Sequence, residues 1–362
     1  MTYSARICPK RAPNVTDYPV GGWQGEDMAL IEARGLSKAY AGKPAVQDLS
    51  FEVRPGSVTG FLGPNGAGKS TTMRLMLQLD NGAGSTTFDG QPFSALEQPM
   101  RHVGTLLEAK PFHPTRKARN HLLMLAAANG LSASRVDEVL RLVGLVDVGG
   151  KKPKTFSLGM GQRLGLAGAL LGDPHTLILD EPANGLDPQG IQWMRQFLKA
   201  LAAEGRSVFV SSHLLSEMAL LADQLVVIGR GRMITSGPVG GFIERSSSKA
   251  VVVRTPQTDQ LVSALAGRVG VTAQVAADGS VTVTGLDAPG IGDVAFDEQI
   301  RLHELAPRVA TLEEAFLEAT EGDEEFQASA LPGLRQARPP AGGIPPTEGP
   351  PPEVAIDPEG RP

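Results

Sequence analysis

The sequence predicts an α/β fold built on a parallel sheet, followed by a small α+β unit. Apolar runs without polar alternation, at residues 177–179 and 208–210, are typical of strands that are covered on both faces. Such runs alternate with helical patterns between residues 29 and 236, which is the order found in parallel sheets. Later in the chain, two strand-like runs flank Asp278-Gly279, a turn typical of antiparallel hairpins.

The elements of the α/β part follow from local apolar patterns and from turn residues. The Pro55-Gly56 turn, for example, sets off the strand that follows it. Patterns with a period of about 3.6 residues predict the helices. The predicted elements are a strand beginning in the run 28–33, a strand at 58–62, a helix over 69–79, a helical insert that is helical throughout 119–172, strands at 177–179 and 208–210, and a helix over 190–203.

Changes in composition divide the chain into four segments. We expect a flexible extension over 1–27, with Met28 as a candidate start, an α/β domain over 28–245, an α+β domain over 246–320 and a disordered tail over 321–362. Three consecutive serines at 246–248 mark the linker, and a capping box from Thr311 to Glu314 opens the last helix. The tail is rich in proline and acids, so it cannot bury enough apolar surface to order itself.

Charge and cysteine content exclude some classes of protein. The net charge of the 362 residues is −5, and the tail alone, with eight acids and three bases, accounts for it. The rest of the chain is balanced, so we expect no nucleic-acid partner. No apolar stretch is long enough to span a bilayer or resembles a secretory signal. The lack of such stretches, together with a single cysteine, Cys8, predicts a cytoplasmic protein.

A glycine-rich motif, Gly63-x4-Gly68-Lys69-Ser70, follows a predicted strand and opens a predicted helix. In that context it predicts a phosphate cradle rather than a simple turn, because backbone N–H groups and the helix N-terminus can point at the phosphates. Lys69 would reach the β- and γ-phosphates, and the Ser70 hydroxyl would ligate Mg²⁺. The residues predicted to bind nucleotide here are Gly63, Pro64, Asn65, Gly66, Ala67, Gly68, Lys69, Ser70 and Thr71.

An acidic pair, Asp180 and Glu181, directly follows the apolar run 177–179. Ligands of open α/β sheets bind at the carboxyl ends of the strands, so this pair is expected beside the phosphates. Asp180 is predicted to hold Mg²⁺, and Glu181 to orient and deprotonate the attacking water. The alternative is a solvated pair at the end of a strand.

With these motifs in this order, residues 29 to about 236 closely resemble the nucleotide-binding subunits of ABC transporters. The resemblance implies a cassette with a parallel-sheet core, an antiparallel β subdomain and a helical subdomain. It makes Lys69, Glu181 and His213 catalytic, the last as the switch histidine that contacts the γ-phosphate. It assigns adenine stacking to Tyr40, and communication between two active sites to Asp187 in Gly185-Leu186-Asp187.

The same resemblance identifies a signature segment that would bind the ATP held by an opposing subunit, namely Ser157, Leu158, Gly159 and Met160. Three departures from the family pattern stand out. Leu158 replaces a glycine and Met160 replaces a frequent glutamine. Glu108 stands where most members have a glutamine that senses Mg²⁺, and is predicted to be a metal ligand. Arg119-Asn120-His121-Leu122 occupies a place where many relatives have a glutamate.

Within that superfamily, the chain resembles the subunits of ABC-2 type exporters, which include drug- and antibiotic-resistance pumps. This implies ATP and Mg²⁺ as cofactors, and a head-to-tail dimer with a second copy or a related subunit. It also implies a separate membrane permease that would hold the chain on the inner face of the membrane. A soluble ABC ATPase not coupled to transport, and a non-enzymatic regulatory module, are the alternatives.

Two basic clusters lie in the predicted helical insert. One spans residues 110–121, with Lys110, His113, Arg116, Lys117, Arg119 and His121, and the other is Lys151-Lys152-Pro153-Lys154. We expect them to face anionic headgroups or acidic permease loops. A normally solvated surface is the alternative.

Overall fold

A computed structural model of the chain describes residues 30–108, 111–245, 250–308 and 311–320. The predicted extension, Met28, the serine linker, Lys110 and the tail lie outside these ranges. The elements of the first part are β1 (Ile31–Tyr40), β2 (Lys43–Val53), β3 (Val58–Leu62), α1 (Lys69–Met76), β4 (Ala83–Phe88), β5 (Gln91–Pro92), α2 (Pro99–His102), β6 (Val103–Leu106), α3 (Ala118–Ala128), α4 (Ala133–Leu142), α5 (Leu158–Ala169), β7 (Thr176–Leu179), α6 (Pro188–Ala203), β8 (Ser207–Ser212), α7 (Leu215–Leu221), β9 (Gln224–Gly229), β10 (Arg232–Pro238) and α8 (Val239–Arg245).

The central sheet has the strand order β10-β9-β3-β8-β7-β6, in which only the edge strand β10 runs antiparallel to its neighbour. Every residue of β3, β7 and β8 is buried, as the unbroken apolar runs predict. Because β3, β8 and β7 are parallel neighbours, the loops that follow them meet at one edge of the sheet. The predicted parallel α/β core is confirmed.

Helices and a second sheet cover the two faces of the central sheet. On one face, α3 to α7 bury their apolar stripes against the strands, with Leu122, Leu164 and Leu198 among the most buried residues. On the other face, α1 and an antiparallel sheet of order β2-β1-β4-β5 form a second core. In that core the rings of Phe51, Phe61 and Phe209 pack with centroids 5.0 to 5.8 Å apart.

The C-terminal part consists of β11 (Ala250–Arg254), α9 (Thr258–Ala266), β12 (Thr272–Val275), β13 (Val281–Thr284), α10 (Ala288–Asp297), β14 (Glu304–Arg308) and α11 (Leu312–Thr320). The βαββαβ order and the antiparallel sheet β12-β13-β11-β14 give a ferredoxin-like arrangement with its own apolar core. The predicted hairpin around Asp278-Gly279 joins β12 to β13.

The last helix does not belong to that ferredoxin-like core. Leu312, Ala315 and Phe316 of α11 are buried in the helical core of the first part, against α7 and α8. The predicted capping box is present, since Glu314 N donates to Thr311 Oγ1 at 3.1 Å and Thr311 N donates to Glu314 Oε2 at 2.9 Å. The division of the chain at 245/246 stays a prediction.

Two sequence-based element boundaries were wrong. The helix predicted over 69–79 ends at Met76, because Gln78 adopts a left-handed backbone with φ +55°. The insert predicted to be helical throughout 119–172 is interrupted by an irregular stretch over 143–157 that contains two short 3₁₀ turns. Lys152-Pro153 falls in this stretch, and the residue before a proline is biased away from the helical region. In the described ranges, no helix combines the length and the apolar composition that a bilayer crossing needs.

Candidate functional site

The loop between β3 and α1 has the shape of a phosphate cradle. Gly66 and Gly68 adopt left-handed backbones with φ +83° and +102°. A Cβ on Gly68 would collide with the carbonyl oxygen of Ala45, so only glycine fits there. Thr72 N donates to Gly68 O at 2.8 Å, which starts the helix directly behind the loop.

The Lys69 side chain folds back under this loop. Its Nζ donates to Gly63 O at 2.7 Å and to Pro64 O at 3.3 Å. Only 8% of Lys69 is exposed. Burial lowers the pKa of the Lys69 ammonium, whereas the carboxylates of Glu181 and Asp180 act to raise it. An anionic phosphate would add a further partner that favours the charged form.

Asp180 lies at the end of β7, next to this loop, and accepts two hydroxyl hydrogen bonds. Ser70 Oγ donates to Asp180 Oδ2 at 2.5 Å, and Ser211 Oγ donates to Asp180 Oδ1 at 2.5 Å. The two predicted metal ligands, Ser70 and Asp180, are therefore in contact although 110 positions separate them. Both are hard oxygen donors, as Mg²⁺ prefers, so the residues present fit this ion.

Glu181 is held in an unusual backbone conformation, with φ +50°. Its N–H donates to Ser211 Oγ at 2.9 Å, so one hydroxyl orders both members of the acidic pair. Its Oε2 lies 2.6 Å from His213 Nδ1, in the loop after β8. Left-handed backbones at non-glycine residues are uncommon and are often found at functional sites.

Tyr40, predicted to stack on adenine, ends β1 with 47% of its surface exposed. Its hydroxyl donates to Asp80 Oδ2 at 2.9 Å, and Arg74 forms a bidentate ion pair with the same carboxylate. The Lys38 ammonium lies 5.1 Å from the centroid of the Tyr40 ring. Hydrogen bonding to Arg74 lowers the pKa of Asp80, which keeps this anchor ionised.

These side chains border a cavity of about 430 Å³. Its lining consists of Tyr40, Ala45, the loop residues Asn65, Gly66, Gly68, Lys69, Ser70 and Thr71, and Leu107, Gln162, Asp180, Glu181 and Asn184. The structure thus brings most of the predicted nucleotide and catalytic residues together. Glu108 is exposed and, among the described residues, does not belong to this lining. Its predicted metal role stays a prediction.

The signature segment lies at the start of α5. Ser157 is the N-cap, and its hydroxyl accepts a hydrogen bond from Met160 N at 3.2 Å. Leu158 is 43% exposed. Among the described residues, the segment 157–160 does not line the cavity of its own chain. Asp187 similarly caps α6 by accepting from Gly190 N at 2.9 Å.

Sequence reasoning missed four residues around the cavity. They are Asp80, Gln162, Asn184 and Ser211. Asn184 N donates to Glu181 O at 3.1 Å, which closes the turn after the acidic pair. Only Ser211 had a signal in the sequence, since it is the first of two serines that follow the apolar run 208–210. The others become functional candidates only through their place in the fold, Gln162 and Asn184 in the lining of the cavity and Asp80 against Tyr40.

The structure corrects the two predicted basic clusters. His121 is buried and Arg119 forms a bidentate ion pair with Asp137, so neither is a free surface charge. Backbone hydrogen bonds join the remaining members, because Ala118 N donates to Lys151 O at 2.9 Å and Lys154 N to Pro114 O at 3.1 Å. The result is one exposed basic surface made of Arg116, Lys117, Lys151, Lys152 and Lys154.

Comparisons with known proteins agree with this geometry. The family described as "ABC transporter" matches residues 46–184, and one described as a domain of unknown function matches residues 249–313. An uncharacterized ABC transporter ATP-binding protein of Bacillus subtilis, YhcH, is 38% identical over 308 residues, covering 82% of this chain and 98% of the relative.

A bacitracin transport ATP-binding protein of Bacillus licheniformis, BcrA, is 41% identical over 221 residues, covering 60% of this chain and 72% of the relative. A solved structure described as the ATP binding subunit of an ABC transporter superposes with a TM-score of 0.55 at 27% identity. That match covers 60% of this chain and 92% of the solved one. The chain therefore belongs to the ATP-binding subunits of ABC transporters.

Proposed function

We propose that this chain binds MgATP in the cavity beside Lys69 and hydrolyses it to power export through a separate membrane permease. The single observation that carries the hydrolytic part is the contact between Glu181 Oε2 and His213 Nδ1 at 2.6 Å, next to the Ser70–Asp180 pair. The Glu181 carboxylate, which can accept a proton, thus lies near a loop whose shape fits phosphate and which carries the Lys69 ammonium.

The roles of the residues follow from their positions. Lys69 neutralises charge on the β- and γ-phosphates, and the loop N–H groups bind the same oxygens. Glu181 orients the attacking water and accepts its proton, while His213 holds the Glu181 carboxylate in place. Bound by Ser70 and Asp180, Mg²⁺ would neutralise charge on the phosphates. Tyr40, held by Asp80, offers a ring face to the adenine.

The working unit that we propose is a head-to-tail dimer. Ser157 and Gly159 lie at the N-terminus of α5, where unpaired N–H groups and the helix dipole favour an anion. Because this end does not line the chain's own cavity, it would complete the cavity of a second subunit. Asp187, in the loop before α6, would then lie near the dimer interface.

A membrane permease is the proposed partner, and the chain would associate with the inner face of the membrane through it. Relatives named for bacitracin transport and for lantibiotic transport support an export role. The exposed basic surface supports binding to acidic permease loops or anionic headgroups. No nucleic-acid partner is proposed.

Phosphate release from MgATP, measured over a wide range of protein concentrations, tests this function. If two subunits complete each site, the specific rate should fall as the protein is diluted below the dimer dissociation constant. A Lys69→Ala variant should show no release at any concentration and serves as the control for contaminating ATPases. An undiminished specific rate at extreme dilution, with a bulky substitution at Ser157 also harmless, would contradict the dimeric site.

A further inference from the structure

The outer edge of β12 in the C-terminal sheet has no strand beside it. The order β12-β13-β11-β14 leaves β12 and β14 at the two edges, and in the described part of the chain no further strand pairs with either. Unpaired backbone groups at a sheet edge are a template for another strand, and proteins usually protect such edges with charges or proline. The protection of each edge therefore indicates where a partner strand can add.

The two edges differ in this protection. β14 has a charged residue at each end and carries Pro307, which has no N–H to donate. β12, in contrast, consists of the uncharged residues Thr272, Ala273, Gln274 and Val275. Val275 is a large apolar side chain with 54% of its surface exposed. Of the two edges, β12 is thus the one that is open to a further strand.

The pairing of β12 with β13 determines which backbone groups point outward. Ala276 N donates to Ser280 O at 2.8 Å where the hairpin closes. Hydrogen-bonded and non-hydrogen-bonded pairs alternate along an antiparallel ladder, so Gln274 directs its N–H and C=O to β13. Ala273 and Val275 therefore direct theirs away from the sheet. Each copy of the chain thus presents two N–H donors and two C=O acceptors along this edge.

We propose that β12 pairs with β12 of a second copy of the chain, antiparallel about a two-fold axis at Gln274. In this register Ala273 of each copy lies opposite Val275 of the other, and the two residues exchange N–H···O bonds, which uses every outward group of both edges. Each exposed Val275 side chain then packs beside the small Ala273 side chain of the other copy. The two four-stranded sheets become one sheet of eight strands.

The chemistry of β12 favours a second copy over an unrelated strand. Near a two-fold axis each side chain faces its own equivalent, so a charged residue there would meet a like charge, and β12 has none. The exposed Gln274 amide contains both donors and an acceptor, so two copies of it can hydrogen-bond to each other at the axis. This contact uses neither nucleotide nor the cavity, and it therefore goes beyond the proposed ATP-dependent dimer.

Disulfide trapping tests the register, because a pairing of four residues buries little surface and exchanges in solution. The full-length protein carries Cys8→Ser, which removes its single native thiol. At the axis the two Gln274 residues form a non-hydrogen-bonded pair with Cα atoms about 4.5 Å apart, which a disulfide can bridge. Thr272→Cys is the matched control. Thr272 is exposed on the same face of the strand, but it lies about 14 Å along the strand from its equivalent in the second copy.

Under mild oxidation at high micromolar concentration, Gln274→Cys should form cross-linked dimers at least about tenfold faster than Thr272→Cys. The cross-link should form without nucleotide and equally fast when Lys69→Ala is added, so a failure of the proposed ATPase function would leave this result unchanged. Equal rates for the two cysteines would indicate random collision or parallel pairing, and either would overturn the inference.

Two substitutions added to Gln274→Cys test the edge itself. Ala273→Pro removes an outward N–H that the pairing with β13 does not use. Val275→Lys places a charge on the strand, as proteins do at protected edges, and leaves the backbone intact. Each should slow cross-linking about tenfold or more, with the melting temperature of the protein unchanged. If Ala273→Pro lowers the melting temperature, Val275→Lys decides the question. Undiminished cross-linking in the Val275→Lys protein would show that this edge is not the contact.

Discussion

The Leu158 side chain lies directly against Gly185, so that a Cβ on Gly185 would overlap Leu158 Cδ2. Leu186 in turn packs against the next residue of the signature segment, because a Cβ on Gly159 would lie 3.2 Å from Leu186 Cδ2. The start of α5 and the loop before α6 are therefore in contact within one chain. Leu158, which replaces a glycine of the family pattern, supplies this contact.

That contact makes substitutions at Gly185 depend on Leu158. Gly185→Ala should lower both the melting temperature and ATP-dependent dimerisation, because it adds a clash and places alanine at φ +73°. In the double variant Gly185→Ala/Leu158→Ala, the part of the lost stability that is due to the clash should be recovered. This variant should retain roughly 1 kcal/mol of destabilisation from the backbone conformation. Strictly additive effects in this double-mutant cycle would show that the two residues are not coupled.

Glu181→Gln should abolish most of the hydrolysis while preserving ATP binding. The amide cannot accept the proton of the attacking water, and removal of a general base costs about 10²- to 10⁴-fold in rate. ATP that is bound but not cleaved should hold two subunits together, so light scattering should show an ATP-dependent dimer. His213→Ala is the companion variant, because it removes the partner at 2.6 Å but keeps the carboxylate. A Glu181→Gln protein that stays monomeric with ATP at micromolar concentration would argue against the proposed dimer.

The basic surface should bind anionic membranes through charges taken from both of its segments. The variant Lys117→Glu/Lys151→Glu should bind vesicles containing anionic lipid about tenfold or more weakly, since each surface base contributes roughly 1 kcal/mol. Sedimentation with anionic and with neutral vesicles measures this. The control Lys199→Glu/Arg268→Glu makes the same change of charge at exposed positions elsewhere. Phosphate release in solution should stay normal in both variants, and equal vesicle binding by the two would refute the assignment.

The C-terminal hairpin should lose stability in strong acid through Asp278. Hydrogen bonds from the Ser280 hydroxyl and N–H, together with the Arg254 guanidinium, lower the pKa of Asp278 from 3.8 to about 2. Because the pKa of Asp278 is lower in the folded state than in the unfolded state, its ionised carboxylate stabilises the fold. This stabilisation is complete above pH 3.8 and is lost as the pH falls through about 2.

Asp278→Asn should therefore melt at a lower temperature than the parent protein at pH 7. The difference should shrink between pH 4 and pH 2, where the parent carboxylate becomes protonated. Circular dichroism melts at a series of pH values would record it. A difference that is the same at pH 7 and at pH 2 would mean that ionisation of Asp278 is not the cause.

The helices and strands were predictable wherever a local pattern determines them, and less so where tertiary contacts decide. The strands at 177–179 and 208–210 were correct because burial on both faces leaves a continuous apolar run. The helix predicted to 79 and the uninterrupted insert were wrong, since left-handed residues, Gln78 after α1 and Gly144 after α4, end helical geometry within an apolar pattern. The packing of α11 onto α7 and α8 has no signal in the amphipathic pattern itself, which shows that a face is apolar but not what covers it.

The sequence by itself determined the phosphate loop, the acidic pair after β7 and the capping residues, because each is a short segment whose chemistry depends on residues that are neighbours in the chain. Only the tertiary structure decided that His213 meets Glu181, that Ser211 joins Asp180 to the Glu181 backbone, that Gln162 enters the cavity and that two lysine-rich segments form one surface. These contacts join residues that are tens of positions apart. The alignment of strands in the central sheet and the packing of helices on it bring them together, and both depend on the burial of apolar surface across the whole fold.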